Sequence, residues 1–240
     1  MSENIILIPT YNEIENIGVI VNEILSTYDH QFDILIIDDN STDGTKELVN
    51  ELAHKHEGRV MVLNREKKEG LGVAYRAGMK IALAKNYKYI LQMDADLSHQ
   101  PQYLKNFLEA AKGADLVVGS RYLNGISIVN WPLRRLILSL WANKYVRFFT
   151  GLKLTDFTSG FRCFRSELLN KIPLDHMFSD GYAFLVELTY RSFHLNAKIS
   201  EIPIVFIERR NGESKINYTV CLEAAVIPLK LRFKKLLGTL

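Results

Sequence analysis

The sequence predicts an α/β fold in which helices flank a mostly parallel sheet. Two patterns carry that prediction. Short β-branched runs alternate with helical periodicity through the first half, and acid-rich segments follow those runs, as at the carboxyl edge of an open parallel sheet. Composition is the third observation: 240 residues, 48% hydrophobic and 24% charged, with 14 Gly and 6 Pro. That balance excludes collagen-like, disordered and low-complexity chains.

Taken in order, Ile5-Ile6-Leu7-Ile8 reads as the first strand, Asp33 to Ile37 as the second and Arg59 to Leu63 as the third. Tyr87 to Met93 and Asp115 to Val118 complete a set of short apolar runs of the kind buried in parallel sheets. Helices are expected between them, from Glu13 to Tyr28, Thr45 to His56, Gly72 to Ala84 and Gln102 to Lys112, with Pro101 where a helix start tolerates proline. After Gly119 the rhythm changes. Leu133, Leu136, Ile137, Leu140, Trp141, Tyr145, Phe148 and Phe149 recur at helical spacing, with Arg134, Arg135 and Arg147 on or beside the other face. Phe178 to Phe193 reads as helical, Lys198 to Phe206 as extended, and Tyr218 to Leu237 as helical with a kink at Pro228. No repeat or linker interrupts the chain, so 1–240 is expected to form one domain.

Cys163 and Cys221, without a CxxC pair, argue for a reducing compartment and against a disulfide or zinc framework. The start MSENIILIPTYNE lacks the marks of a secretory leader, and no apolar run approaches the roughly eighteen residues of a spanning helix. The expectation is a cytoplasmic chain that does not cross a membrane alone. Charge is divided unevenly. Leu116 to Thr155 contains Arg121, Arg134, Arg135, Lys144, Arg147 and Lys153 and no acid, and the tail after Glu223 adds Lys230, Arg232, Lys234 and Lys235. With a net charge of +3 for the whole, the rest of the chain carries −7. The split suggests an acidic half able to hold a metal and a basic half facing an anion or an anionic surface.

The chemistry gathers at the strand ends. Pro9-Thr10-Tyr11-Asn12-Glu13 follows the first strand, Asp38-Asp39-Asn40-Ser41-Thr42-Asp43-Gly44-Thr45 the second, and Asp94-Ala95-Asp96 the fourth. Two carboxylates spaced as Asp94 and Asp96 repel each other, and a hard divalent cation with oxygen ligands compensates that repulsion. The plainer alternative is that they cap the following helix or sit in solvent. Asp39 suits a ribose or base contact, while Asp43 or Ser41 suits a helix cap. Glu69-Gly70-Leu71-Gly72 would let backbone approach a phosphate at a helix start. The GxGxxG fingerprint is absent after the first strand, which disfavours a nicotinamide or flavin cofactor.

These motifs, with Asp94-Ala95-Asp96-Leu97-Ser98-His99 and Gly119-Ser120-Arg121-Tyr122, resemble an inverting GT-A glycosyltransferase of family 2. Thr158-Ser159-Gly160-Phe161-Arg162 and Arg209-x-x-Gly212-Glu213-Ser214-Lys215 are similar to the dolichyl-phosphate mannose synthase group within it. The resemblance implies a Rossmann-like GT-A fold with C-terminal amphipathic interfacial helices, a nucleotide-sugar half at 1–118 and an acceptor and membrane-facing half at 119–240. It implies that Pro9, Tyr11, Glu13, Ile37 and Asp39 surround the nucleoside of GDP-mannose. Asp94, Ala95 and Asp96 would flank the diphosphate with Mg²⁺ or Mn²⁺, Asp96 being the direct ligand. Arg121, Arg209 and Lys215 would complete the phosphate and sugar environment. Some members carry a glutamine ligand where this chain has Ser98, so water or the Ser98 hydroxyl takes that place. His99 either touches the diphosphate or is satisfied by backbone.

The implied reaction is inverting transfer of mannose to a polyprenyl (dolichyl) phosphate. A phosphate monoester is already anionic near neutral pH and needs no base, only a basic cradle, for which Arg121, Arg134, Arg135 and Ser139 are placed. UDP-glucose or another donor is the nearby alternative. A soluble acceptor is a further one, and Glu187 or Asp156 would then become essential as base; otherwise Glu187 reads as an exposed or arginine-paired helix residue. The stripe at 133–149 and the tail at 226–240 read as membrane-surface helices with basic flanks, against the plainer reading of ordinary core. Attachment to the cytosolic face would be peripheral or through small membrane-embedded subunits. Interleaved apolar residues and the acidic remainder argue against nucleic acid.

Overall fold

The computed structural model describes residues 2–208 and 218–238, with 218–224 described by their backbone alone. The first half runs β1 (Asn4–Thr10), α1 (Ile14–Thr27), β2 (Asp33–Asp38), α2 (Thr45–Lys55), β3 (Val60–Asn64), α3 (Leu71–Ala84) and β4 (Tyr89–Gln92). A short 3-10 helix at Pro101–Tyr103 then leads into α4 (Leu104–Ala111) and β5 (Leu116–Ser120). The second half contains β6 (Ile128–Val129), α5 (Leu133–Thr150), β7 (Arg162–Arg165), α6 (Ser166–Leu169), α7 (Ala183–His194), β8 (Ile199–Pro203), β9 (Phe206–Ile207) and α8 (Tyr218–Leu236).

Seven strands form one sheet in the order β3-β2-β1-β4-β7-β5-β8, and β6 pairs with β9 beside it. β1, β2, β3 and β4 are mutually parallel where they pair, as are β5 and β8, whereas β7 runs antiparallel between β4 and β5. The sheet is therefore mostly parallel and flanked by helices, as its apolar runs predict. Ile6 and Ile8 of β1 pack with α1, α2 and α4 on one face, and Ile5 and Leu7 with α3, α6 and α7 on the other. All four are fully buried, each contributing about 1.5–3 kcal/mol relative to exposure. The chain steps outward from β1 to β3, then returns to β4 on the other side of β1. That switch of direction opens a crevice at the carboxyl ends of β1 and β4, where the first and third acidic clusters lie.

Several expectations are corrected. β7 escapes the sequence reading because Arg162 and Arg165 bracket only Cys163 and Phe164, and no apolar run is visible. β4 stops short of Tyr87, whose hydroxyl donates to buried Asp33 at 2.8 Å. The helix expected from Phe178 begins at Ala183, and the extended stretch at 198–206 divides into β8 and β9. The helix expected over Tyr218 to Leu237 is present as α8, with Pro228 inside it.

The apolar stripe of α5 is not ordinary core. Only Asn143 and Val146 of this helix are buried, while Leu133, Trp141 and Phe148 are 69%, 69% and 74% exposed. α5 and α8 meet through a third cluster that includes Val146, Phe157, Val186, Ile227 and Leu231. Exposed Val226, Leu229, Phe233 and Leu236 extend the apolar surface along α8. No helix among the described residues is long and apolar enough to cross a membrane.

Candidate active site

The ends of β1 and β2 are laced together by their own polar side chains. Pro9 sits in register with Ile37, and the Asp39 N–H donates to the Thr10 carbonyl at 3.0 Å. Ser41 Oγ accepts the Asn12 N–H, Asn12 Oδ1 accepts the Thr42 N–H, and Thr45 Oγ1 accepts the Glu13 N–H, each at 2.9 Å. Asn12 and Asn40 take left-handed conformations, φ 56° and 59°, which asparagine tolerates better than most residues. Asp38 is fully buried and accepts from Ser41 Oγ at 2.6 Å, so its task is to hold the loop. Asp43 takes the Thr45 N–H at 3.0 Å and thereby serves the start of α2; Ser41, bonded to Asp38 and Asn12, does not.

The nucleoside residues named from the sequence share this edge, with one difference. Asp39 meets Arg65 at 2.5 Å; burial raises the Asp39 carboxyl above its ordinary range, and the Arg65 charge opposes that rise. Tyr11 is half-buried under Lys68, whose Nζ lies 3.8 Å from the ring centroid. Glu13 Oε2 accepts from Asn16 Nδ2 at 2.9 Å. Ile37, however, points its side chain into the core beside Leu7 and Tyr75, so only its backbone reaches the edge.

The turn after β4 holds Asp94 and Asp96 half-buried around buried Ala95. Asp96 Oδ1 accepts from the Ser98 hydroxyl at 2.5 Å and from the Ser98 N–H at 3.2 Å. Ser98 is thus buried as a support for Asp96. Leu97 between them takes φ 62°, a strained conformation for leucine that the paired bonds on either side enforce. His99 Nδ1 accepts the Asp94 N–H at 3.0 Å, and its ring stacks on Phe161 with centroids 4.9 Å apart. The backbone reading of His99 is the one realised. Tyr75 reaches Asp94 Oδ1 from α3 at 3.4 Å, and a Cβ on Gly160 would lie 3.2 Å from the same oxygen.

Opposite this turn, Arg121 is buried against Asp156, with Nε and Nη2 at 2.6 and 2.8 Å from its two oxygens. Asp156 also accepts from the N–H groups of Arg121, Thr158 and Ser159. Burial alone would raise this carboxyl; the Arg121 charge and these bonds outweigh it and hold the group below the ordinary carboxylate range. Glu201 clamps the same loop through the Thr155 and Asp156 N–H groups. Arg162 is fully buried and donates to the carbonyls of Phe157, Ser159 and Leu185; desolvation lowers its pKa to about 10.

Glu187 is fully buried, which overturns the exposed reading and keeps the arginine-paired one. It accepts from Arg191 Nε at 2.8 Å, from the Phe178 and Ser179 N–H groups, and from the Ser179 hydroxyl. The segment it pins approaches the Gly70-Leu71-Gly72 turn: the Gly72 N–H donates to the Asp180 carbonyl at 2.7 Å, and a Cβ on Gly70 would lie 2.5 Å from that oxygen. The two glycines therefore admit the Asp180 carbonyl and the Phe184 side chain.

On α5, Arg134 is exposed, Arg135 Nη1 lies 2.5 and 2.7 Å from the two oxygens of Glu208, and Ser139 Oγ accepts the Tyr122 hydroxyl at 2.7 Å. Arg209 and Lys215 lie outside the described residues.

Residues 5–173 match the family model described as Glycosyl transferase family 2. This chain belongs to glycosyl transferase family 2. A polyprenol monophosphomannose synthase of Mycolicibacterium smegmatis is 44% identical to this glycosyltransferase over 221 residues, 92% of this chain and 83% of that protein. An undecaprenyl-phosphate mannosyltransferase of Micrococcus luteus is 43% identical over 220 residues, 92% of this chain and 90% of that protein. The glucosyl-3-phosphoglycerate synthase of Mycobacterium tuberculosis, solved with Mn²⁺, uridine diphosphate and phosphoglyceric acid, matches with a TM-score of 0.71 at 18% identity, over 95% of this chain and 78% of that one. That likeness is one of fold, and it is the GT-A architecture.

Among the described residues, no group of three or more His, Cys, Asp or Glu side chains is arranged to hold a metal by itself. Two carboxylates at one turn, with the nearby imidazole Nδ1 taken by backbone, fit a hard cation shared with a diphosphate. Arg65, Lys68, Tyr75 and Glu208 contact candidate residues Asp39, Tyr11, Asp94 and Arg135 without having been singled out from the sequence. Arg65 and Lys68 follow β3 directly, where the same strand-end rule would have found them.

Proposed function

We propose that this glycosyltransferase moves mannose from GDP-mannose to a polyprenyl phosphate with inversion, giving polyprenyl phosphate β-mannose. The observation that carries the reading is the state of Asp156 and Glu187. Both carboxylates offered as a base for a neutral hydroxyl are fully buried and bonded on both oxygens. An acceptor that arrives already ionised needs neither. The two relatives named for transfer of mannose to polyprenyl carriers support the same conclusion.

In this reading an acceptor phosphate oxygen attacks the anomeric carbon of mannose as the bond to the GDP oxygen breaks. The second phosphate ionisation lies near pH ~6, so no proton must be removed in the transition state at neutral pH. Residues 1–118 form the donor half, with Pro9, Tyr11, Glu13, Asp39 and the Ile37 backbone at the nucleoside. Asp94, Ala95 and Asp96 face the diphosphate, and Ser98 holds Asp96 in place. When bound, Mg²⁺ or Mn²⁺ supplies positive charge against the leaving diphosphate. Arg209 and Lys215 add cationic donors there. Residues 119–240 form the acceptor half, where Arg134, Arg135 and Ser139 receive the lipid phosphate and Arg121 shapes the wall between the two substrates. α5 and α8 rest on the cytosolic surface of a membrane through their exposed apolar residues and neighbouring bases, a peripheral contact.

The test is transfer of radiolabel into an organic-extractable lipid by purified protein with a polyprenyl phosphate and either divalent cation. Label from GDP-mannose and not from UDP-glucose, abolished in Asp96→Ala, is the expected result. Label from UDP-glucose alone would overturn the donor assignment.

A further inference from the structure

Arg121 and Arg135 of the acceptor half are each neutralised, but in different ways. Arg121 and Asp156 are 7% and 0% exposed and share several bonds, an arrangement that an incoming ligand cannot undo cheaply. Arg135 and Glu208 are 22% and 23% exposed, and both bonds run to one guanidinium nitrogen, Nη1. The Glu208 N–H donates to the Val129 carbonyl at 3.1 Å, which ties its backbone to β6. Arg135 lies over the Trp131 ring at 4.1 Å, and two buried donors at this contact, Arg135 Nε and Trp131 Nε1, have no hydrogen-bond partner among the described residues. Buried donors left unpaired are costly. A single carboxylate with both oxygens on Nη1 leaves them so, whereas a phosphate offers more acceptor oxygens to the same cluster.

We propose that Glu208 holds on Arg135 the place that the acceptor phosphate takes, so that acceptor binding exchanges one anion for another. The inference rests on the acceptor reading above and deepens it by naming a residue that competes with the acceptor for Arg135. The carboxylate carries one negative charge and a phosphate monoester about 1.5 to 2, so the exchange is favourable for a monoester. A phosphodiester, with a single charge, gains little by the same exchange. Glu208 thereby competes with any anion for Arg135, and Trp131 Nε1 becomes a donor to the incoming group.

The experiment is calorimetric titration of the full chain with farnesyl phosphate, a short isoprenyl monoester, and with its methyl diester. In Glu208→Gln, farnesyl phosphate should bind about three- to tenfold more tightly. The diester should gain by a similar factor, since it displaces the same carboxylate, while the affinity for GDP stays as in the parent chain. Glu208→Ala should move in the same direction, and melting curves establish that both variants fold. Unchanged or weaker binding of farnesyl phosphate in both folded variants overturns the inference, as does an equal gain for GDP. If the parent chain binds GDP but not farnesyl phosphate, the acceptor reading itself fails, and the assignment to Glu208 falls with it.

Discussion

Arg121 grips Asp156 across 35 residues of sequence, and the pair fixes the loop that carries Gly160 against Asp94. Removing the negative charge would strand a buried guanidinium. Asp156→Asn is therefore expected to destabilise the fold by about 3–5 kcal/mol, measured by denaturant unfolding near neutral pH. The pH dependence has a definite sign. The folded Asp156 carboxyl lies below its unfolded value of about 3.9, so its contribution is full above that pH and is lost as pH falls through the folded value. The parent chain should lose stability over that acid range, and Asp156→Asn should lose less of it.

Gly70 offers a test of what the glycines after β3 are for. Its φ of 113° and the Asp180 carbonyl, 2.5 Å from where a Cβ would stand, leave no room for alanine. Gly70→Ala should cost about 1–3 kcal/mol in thermal or denaturant unfolding. An unchanged melting temperature would return these glycines to a ligand-binding role.

How far the sequence reveals the fold and site follows from the range of each interaction. Strands such as Ile5–Ile8 are legible because burial on both faces demands a continuous apolar run. β7 is not, because Arg162 is accommodated by carbonyls from Phe157, Ser159 and Leu185 and by the Thr189 hydroxyl, the last two 23 and 27 residues away. At the site, Asp39, Asp94 and Asp96 stand out by following strands. Glu208 does not, since its partner Arg135 lies 73 residues away and neither neighbourhood announces the other. Gly70 and Gly72 signal a close approach correctly, but a glycine carries no information about what approaches. Glu187 shows the same limit: its helix position is readable, while the Phe178 and Ser179 N–H groups that consume its oxygens are not.

The pH profile of transfer should follow the acceptor and not the protein. With GDP-mannose saturating, kcat/KM for a polyprenyl phosphate is expected to rise through about pH 6, the second ionisation of a phosphate monoester. A controlling ionisation near that of an ordinary carboxylate, about 4, would point to a protein base.

The exposed side chains of α5 should govern membrane contact without governing the fold. Trp141 and Phe148 are 69% and 74% exposed, so Trp141→Ser with Phe148→Ser removes apolar area that packs against little protein. Co-sedimentation with anionic vesicles should fall on the order of tenfold or more, with the melting temperature nearly unchanged. High salt should weaken the residual binding contributed by neighbouring bases such as Arg134 and Lys144.

The most direct measurement supplies purified protein with radiolabelled GDP-mannose and a divalent cation, and offers it a polyprenyl phosphate in one arm and the matching free polyprenol in the other. With Asp156 and Glu187 both spent on the fold, label should enter the lipid phosphate and none the free alcohol. Label transferred to the alcohol would require a group that deprotonates a neutral hydroxyl, and would contradict the account at its centre.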